Sequence, residues 1–352
     1  MSSEKVAGIK VERGKKAFGF LDVCMMASGA PLRIPVHVVA GTKPGPKLVV
    51  MSTAHGYEIQ QISVIRTLVE TLDPGKLKGT FVGIPVCNPV AFEGGTRSTW
   101  IDSIFGDSGN MNRLWPGRPD GWLTERMTYK ISQEVFPGST CVIDLHAATG
   151  GLELSYGYLG KASETEIEIS KVYGNEILVD TQQAEVVKKR QWGTSKEYLR
   201  SQGIPVYSTE VGEFHGLWLE RGKGKDLVRT VPEVGVTGVT NVMKYLGMLE
   251  GKPKLPEKQA IVKPELNLRP AHGGLLVSEK GIEDLGTVVS KGSILARVIS
   301  PYTFEVLDTI TAPFEESLLM AAMTQKPFLR VNPGDFAYIV ADMANTGIIE
   351  NS

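Results

Sequence analysis

Two short polar motifs in this chain carry residues that can bind a metal ion. Residues 55–58 read His-Gly-Tyr-Glu, and residues 144–146, about ninety positions later, read Asp-Leu-His. Two imidazoles and one carboxylate are a common ligand set of catalytic zinc, which keeps a further coordination position open. The sequence therefore predicts that His55, Glu58 and His146 bind Zn²⁺. Either histidine alone is more often an ordinary buried polar residue, and it is the pairing of the two motifs that favours a metal site.

The position of these motifs along the chain supports the same prediction. Each comes at the end of an apolar run that is typical of a strand, residues 47–52 before the first and 141–143 before the second. Because His55 and Glu58 are three positions apart, a turn or a first helical turn directs both side chains to one side. We therefore expect the metal between neighbouring strand ends.

A third strand-like run, residues 204–207, leads into Glu210 within the sequence Ser-Thr-Glu-Val-Gly. A metal-assisted hydrolysis needs a base, since the attacking water must lose a proton. Open α/β sheets bind ligands at the carboxyl ends of their strands. These considerations favour Glu210 as the general base, with a helix-capping or salt-bridging carboxylate as the alternative.

Residues 93–121 form a long segment without apolar periodicity, rich in Gly, Asp, Ser, Arg and Trp. Loops of this length inside a folded chain are usually functional or disordered. This one supplies Arg97 as a cation for the transition state and Arg113 as a bidentate partner for a substrate carboxylate. Asn112 adds an amide donor beside it. The alternative for both arginines is a solvated surface position.

Apolar spacing predicts the elements that must position these residues. Strands alternate with helices up to about residue 250, which indicates a mixed, mostly parallel sheet flanked by helices. The predicted elements are a β-hairpin over 16–40, strands at 47–53, 79–86, 141–146, 177–180 and 204–210, and helices at 59–72, 122–135, 163–176, from 194 and 233–250.

A Pro/Lys-rich segment at residues 250–258 separates this part from a Gly-rich stretch of short strands. We therefore predict two domains with a boundary near residue 255. Residues 1–255 form the α/β catalytic domain with the N-terminal hairpin, and residues 256–352 form an all-β, barrel-like domain.

Composition narrows the class of protein. The chain has 352 residues, 42% of them hydrophobic, and a net charge of -1. This charge gives no field that would attract nucleic acid or an acidic membrane, so neither is a predicted partner. Three cysteines, an odd number without Cys-x-x-Cys spacing, suit a reducing compartment. The N-terminal residues have no apolar signal region, and a cytoplasmic location is expected.

Several motifs together resemble the succinylglutamate desuccinylase/aspartoacylase family, which is similar in its core to zinc carboxypeptidases. They are the two metal motifs, Ile-Pro-Val-Cys-Asn-Pro-Val-Ala-Phe at 84–92, Arg97, Asn-Arg-Leu-Trp-Pro-Gly at 112–117 and Glu-Val-Gly at 210–212. Gly-Gly at 273–274, Lys-Gly at 291–292 and Ala-Pro at 312–313 resemble the family's C-terminal β domain, so the resemblance covers most of the chain.

The resemblance implies a zinc amidohydrolase acting on a small N-acyl amino acid or a related compound, and it implies self-association. It implies His55, Glu58 and His146 as zinc ligands, and Glu210 as base and later proton donor. It also implies Arg97 polarising the scissile carbonyl, with Asn112 and Arg113 holding the amino-acid carboxylate.

One position departs from the family, which usually has Asp where this chain has Asn110. Such a carboxylate orients a ligand histidine and raises its basicity. Asn110 accepts a hydrogen bond without bringing charge, and Asp107 is a possible substitute.

Other interpretations stay open. A zinc carboxypeptidase for short peptides and a non-catalytic metal-binding relative are the alternatives to a deacylase. His215 is either a loop histidine or a site residue, and the basic run from Lys188 is either a solvated face or an entrance for anions.

Overall fold

The computed structural model describes residues 3–102, 109–147, 153–160, 163–180, 193–212, 231–263, 265–323 and 328–351. The strands in these ranges are β1 Ser3–Val6, β2 Ile9–Glu12, β3 Lys15–Met25, β4 Pro31–Ala40, β5 Lys43–Ser52, β6 Lys78–Ile84, β7 Cys141–His146, β8 Tyr156–Tyr158, β9 Ile177–Val179, β10 Val206–Glu210, β11 Lys258–Val262, β12 Glu265–Leu268, β13 Gly274–Ser278, β14 Val288–Ser290, β15 Ile294–Ile299, β16 Val306–Thr311, β17 Glu316–Ala322, β18 Leu329–Val331, β19 Tyr338–Asp342 and β20 Gly347–Glu350. The α-helices are α1 Ile62–Thr71, α2 Pro89–Gly94, α3 Leu123–Glu134, α4 Glu164–Tyr173, α5 Ser195–Ser201 and α6 Val231–Tyr245.

Ten strands form one central sheet in the order β20-β11-β9-β8-β10-β7-β5-β6-β4-β3. The pairs β5/β6, β5/β7, β7/β10, β8/β9 and β9/β11 are parallel, and the remaining neighbours are antiparallel. The predicted mixed, mostly parallel sheet is therefore confirmed. Residues 48–51 of β5 and 141–143 of β7 form buried, uninterrupted apolar runs, because helices or loops cover both faces of the sheet at its centre.

Alternating residues of β5 enter two separate cores. Leu48 and Val50 pack with α1, α4 and α6 on one face of the sheet. Val49 and Met51 pack with α3, α5 and the hairpin β3–β4 on the other face. Side chains of a strand point alternately to its two faces, so one apolar strand contributes to both layers. The functional strand ends are thus held from both sides.

The C-terminal part of the chain is all β, as predicted. Residues 265–342, which we call the C-terminal β region, contain two four-stranded antiparallel sheets, β12-β19-β17-β14 and β16-β15-β13-β18. The two sheets share an apolar core that also includes Leu154, Tyr156 and Ile177 of the central-sheet side. Strands β11 and β20, on either side of this region in sequence, belong to the central sheet. The boundary near residue 255 stays a prediction.

The predicted helices and strands of the α/β part are present, with ends that differ by a few residues. Helix α1 begins at Ile62 rather than at residue 59, since a turn occupies the intervening positions. Helix α6 ends at Tyr245, several residues before the predicted end. The strand β17 was not predicted, because its continuous run Ser-Leu-Leu-Met-Ala-Ala lacks the alternation of a half-exposed strand. Among the described residues, no helix has the length and apolar composition needed to cross a bilayer.

Candidate metal centre

The carboxyl ends of three parallel strands meet where the sequence places its polar motifs. Strand β7 ends at His146 and β10 ends at Glu210, and these two residues are directly paired across the two strands. Strand β5 ends on the other side of β7, where Ser52 pairs with Leu145. The chain then turns from β5 through His55 and Glu58 before entering α1. The predicted placement at neighbouring strand ends therefore describes the geometry.

The turn that carries the first motif is held by close backbone contacts. The amide of Gly56 donates to the Thr96 carbonyl over 2.8 Å. A Cβ atom at Gly56 would lie 1.9 Å from the Ala91 carbonyl oxygen, so only glycine allows this approach. The Glu58 amide donates to the His55 carbonyl over 3.1 Å, which closes the turn and brings both side chains to one side.

Three buried side chains converge on one point. One ligand atom from each of His55, Glu58 and His146 lies within 4.8 Å of the other two. The His55 Nδ1 atom is 2.6 Å from Glu58 Oε1, and the His146 Nδ1 atom is 3.1 Å from Glu58 Oε2. The donor set of two imidazole nitrogens and a carboxylate fits a zinc ion with an open position.

The outer nitrogens of both imidazoles have acceptors of their own. His55 Nε2 lies 3.1 Å from Asn110 Oδ1, and His146 Nε2 lies 3.1 Å from Asp144 Oδ2. Donation from Nε2 fixes the tautomer in which Nδ1 carries the free lone pair. Both imidazoles thus present Nδ1 to the centre of the group, as ligation of a metal requires.

Electrostatics within the group favour a charged carboxylate. Burial would raise the pKa of Glu58, but His55 and His146 lower it to about 2. Burial would likewise lower the pKa of His146, yet the charges of Asp144 and Glu58 raise it well above its ordinary value. Burial dominates at His55 and lowers its pKa. The buried pair of carboxylates at Glu58 and Asp144 therefore calls for positive charge at this position.

Asn110 occupies the place for which the resemblance predicts a carboxylate. Its Oδ1 atom faces His55 Nε2 and also accepts the Asn112 amide over 3.0 Å. The neutral amide oxygen therefore provides the orienting hydrogen bond without the charge. The suggested substitute, Asp107, lies outside the described residues.

We expect Asn110→Asp to tighten zinc binding and Asn110→Ala to weaken it. A carboxylate at this position makes His55 a more basic ligand, and outer partners of this kind typically change metal affinity by roughly 10- to 100-fold. Competition with a chelator of known affinity measures the change. Equal zinc affinity in all three proteins would show that Asn110 does not act on the metal ligand.

Glu210 is buried beside the metal group without belonging to it. Its Oε1 atom accepts a hydrogen bond from the Tyr158 hydroxyl over 3.2 Å. Its Oε2 atom is buried and has no hydrogen-bond partner among the described residues. Burial raises the pKa of Glu210 to about 7, against the lowering effect of His146. A carboxyl with a pKa in this range can both accept and return a proton near neutral pH.

Arg97, predicted to be catalytic, and Asn112 and Arg113, predicted to bind substrate, lie around the same group. The Arg97 Nη1 atom donates to the Tyr57 hydroxyl over 2.7 Å and is 3.9 Å from Glu58 Oε1. The Asn112 Nδ2 atom is 3.5 Å from His146 Nε2. The Arg113 Nη1 atom donates to the Asn112 carbonyl. Arginine and amide donors therefore lie next to the His-Glu-His group, and all three residues line one cavity.

One contact fixes the loop that carries Asn112 and Arg113. The buried Trp115 exchanges two backbone hydrogen bonds with Gly193, of 3.0 and 3.1 Å. The Ser195 amide, at the start of α5, donates to Asn112 Oδ1 over 3.2 Å. The segment around Trp115 is therefore buried and fixed in place.

A cavity of about 360 Å³ contains these residues together with others that sequence reasoning missed. The additional lining residues include Tyr158, Ser195, Lys196, Glu265 and Phe336. A further unpredicted residue, Gln61, donates to the carbonyls of His146 and Val211 over 3.0 and 3.1 Å and ties two strand ends together. The Thr-Ser-Lys-Glu capping box at residues 194–197 was the only sequence signal near any of them.

The fold and this site define a class: an α/β protein with a buried His-Glu-His group and a carboxyl base at adjacent strand ends. The family model described as the succinylglutamate desuccinylase/aspartoacylase catalytic domain matches residues 44–226, just over half of the chain. The chain belongs to this family.

Individual relatives agree with the family assignment. The N-alpha-acetyl-L-2,4-diaminobutyric acid deacetylase of Halomonas elongata is 26% identical over 331 residues, covering 89% of this chain and 86% of that protein. The product-bound structure of the ectoine utilization protein EutE (DoeB) from Ruegeria pomeroyi has a TM-score of 0.75 and 22% identity, covering 95% of this chain and 98% of that one. A succinylglutamate desuccinylase from Silicibacter sp. TM1040 has a TM-score of 0.75 and 20% identity, covering 94% and 97%. These two structures share the fold of this chain.

Two predictions concern residues outside the described ranges. His215 lies in the segment 213–230, and the basic run from Lys188 lies in 181–192.

Proposed function

We propose that this protein is a zinc-dependent hydrolase that removes an acyl group from the amide nitrogen of a small N-acyl amino acid. One observation carries the proposal: a buried His-Glu-His group and Glu210 open into the same cavity, with Glu210 paired in register beside His146. Metal-assisted hydrolysis uses a set of metal ligands together with a separate base, and a carboxyl group can be that base. Family membership supports deacylation as the reaction.

Each protein side chain has a defined task in this proposal. His55, Glu58 and His146 would hold zinc, which acts as a Lewis acid toward the amide carbonyl and makes water more acidic. Glu210 takes the proton of the attacking water and returns it to the leaving amine, since its pKa of about 7 suits both transfers. Arg97 stabilises the oxyanion that forms on the former carbonyl oxygen.

The substrate's carboxylate binds at the other donors of this cavity. Arg113 presents a planar guanidinium that matches a carboxylate in two hydrogen bonds, and Asn112 adds an amide beside it. Holding the carboxylate here positions the amide bond over the metal group, and correct positioning lowers the barrier.

The size and walls of the cavity favour a small substrate over a peptide. Glu265, Asn267, Phe336 and Ile339 of the C-terminal β region line the same cavity of about 360 Å³ as the metal group. This volume lies near the lower end of small-molecule sites. A polypeptide extending beyond one or two residues would meet these side chains.

Activity on a panel of substrates tests the proposal. We expect the purified, zinc-loaded chain to release acetate or another acid from N-acetyl or N-succinyl amino acids, and to lose this activity when the metal is removed by a chelator. Faster turnover of short peptides would identify a carboxypeptidase instead. Stoichiometric zinc without turnover of any substrate would indicate a non-catalytic relative, and either result would contradict the proposal.

A further inference from the structure

We propose that Glu265 determines substrate selectivity by binding a cationic amino group on the side chain of the substrate amino acid. This inference rests on the proposed function and adds the chemical class of the substrate. It assigns the recognition of that class to the C-terminal β region.

Glu265 lines the reaction cavity as part of the C-terminal β region. It is the first residue of β12, and it lines the cavity together with Asn267, two positions further along the strand. Side chains two positions apart in a strand share one face, so this face of β12 is a cavity wall. The pairing of Glu265 with Ala341 of β19 fixes its position in the sheet.

The Glu265 carboxylate has no cation of its own among the residues that the structure describes. Lys263, two positions earlier, forms its ion pair with Asp180. Arg269, the residue after the end of the same strand, lies over the Phe336 ring at 4.0 Å from its centroid. Neither nearby cation therefore serves Glu265.

The electrostatic surroundings of Glu265 would favour binding of a positively charged ligand group. Burial raises its pKa to about 7, and no cation in the described part of the chain offsets this shift. Its charge in turn raises the pKa of Glu210 and of Tyr158, which places it near the base of the proposed reaction. By its exposed area Glu265 is half-buried. A carboxylate partly withdrawn from water is stabilised by a paired cation, and a ligand cation would supply the pair.

The charges of the cavity are arranged for a ligand with both signs. Arg97 and Arg113 line one part of it, and Lys196 lies 5.3 Å from the ring centroid of Tyr158. These cations suit the carboxylate and the oxyanion of an N-acyl amino acid. Glu265 provides a negative charge. This charge would repel an acidic side chain such as that of aspartate. The relative from Halomonas elongata is named for a substrate whose side chain bears an amine.

The test compares two N-acetyl amino acids of equal size. Both are acetylated on the α-amino group. One is derived from 2,4-diaminobutyrate and the other from norvaline, and their side chains differ only in that the first ends in an ammonium group and the second in a methyl group. We expect wild-type kcat/KM to favour the cationic substrate by roughly 30-fold or more, since a desolvated charge pair that loses one partner has costs of this size. Glu265→Gln should remove most of this preference by lowering kcat/KM for the cationic substrate alone.

Controls separate recognition from a general structural effect. Glu315→Gln makes the same change at an exposed carboxylate of the same region, where the partner is Lys291, and should leave the preference unchanged. Glu265→Asp keeps the charge and should retain part of the preference. Equal losses on both substrates in Glu265→Gln would overturn the inference, as would a wild-type enzyme that prefers norvaline or an acidic side chain.

The two proposals fail in different ways. If the zinc-loaded wild-type chain hydrolyses no N-acyl amino acid, the proposed function is wrong and the assignment of Glu265 falls with it. If the wild-type chain hydrolyses the norvaline derivative and the cationic derivative with equal kcat/KM, the proposed function stands and only the role of Glu265 is wrong.

Discussion

Replacing Glu210 by glutamine is expected to lower kcat by roughly 100- to 10,000-fold while zinc remains bound. General acid–base catalysis by a positioned side chain contributes a factor of this size. Glutamine has the same shape and can keep a hydrogen bond with Tyr158, but it cannot take up a proton. Glu210 lies outside the His-Glu-His group, so the metal content should not change.

The buried oxygen of Glu210 strengthens this expectation. Its Oε2 atom has no hydrogen-bond partner among the described residues, although a buried oxygen of this kind is normally satisfied. A buried carboxyl oxygen without a hydrogen bond lowers the stability of the fold. Its presence here favours a role for Glu210 in the reaction. Single-turnover kinetics with metal analysis of the same sample would measure both quantities. Near-wild-type kcat in the variant would show that another group acts as the base.

The pH dependence of the reaction gives a second test of the role of Glu210. The base must be deprotonated, and burial raises the pKa of Glu210 to about 7, so kcat/KM should rise with pH on the acid side. A bound cation stabilises the carboxylate, which puts the midpoint of this limb at or below about 7. The limb should be missing in Glu210→Gln. Glu164→Gln, the same change at an exposed helix position, should keep it.

Replacing Glu58 by glutamine is expected to abolish both zinc binding and turnover. Glu58 is buried and contacts the Nδ1 atoms of both ligand histidines, and its pKa of about 2 keeps it charged over the whole working range. The neutral amide removes one ligand and the negative charge that balances the metal. The loss of zinc affinity should exceed the roughly 10- to 100-fold typical of an outer partner.

Zinc content after dialysis against a weak chelator measures this effect. Glu70→Gln is a matched control, since it alters a more exposed carboxylate on α1 that pairs with Arg66. It should bind zinc and turn over substrate like the wild type. A Glu58→Gln protein with full zinc occupancy would show that the metal is held elsewhere.

The sequence predicted the α/β elements because their signals are local. The apolar runs before His55, His146 and Glu210 and the helical spacing of α1 and α3 are readable within about fifteen residues. The edge of the central sheet was not readable in this way. Strands β11 and β20 pair with each other although some eighty residues separate them, and only packing of the whole chain decides that pairing.

Some residues of the candidate site could be predicted from local sequence signals, and others could not. The proposed ligand and base residues lie at or just after strand ends, where chain position and residue type together indicate chemistry. Gln61 and Glu265 carry no motif, and the capping box around Lys196 indicates a helix start rather than a site. The nearness of these three residues to the metal group depends on how separate segments fold together. Glu265 is more than fifty positions from Glu210 in sequence, so its place in the cavity follows from the packing of β12 against the site. The predictions of self-association and of a cytoplasmic location stay predictions.

The strand order of the central sheet also limits how the cavity can open. The chain leaves that sheet through β11, builds the C-terminal β region, and returns to pair β20 with β11. The region is thus an insertion tethered at both ends to one strand ladder, and its apolar core includes Leu154, Tyr156 and Ile177 of the central-sheet side. Swinging the region away as a whole would expose that core to water, so we expect substrate to enter with the region in place. Exchange of the inserted sheets between relatives would then change the preferred amino acid while the hydrolytic centre stays intact.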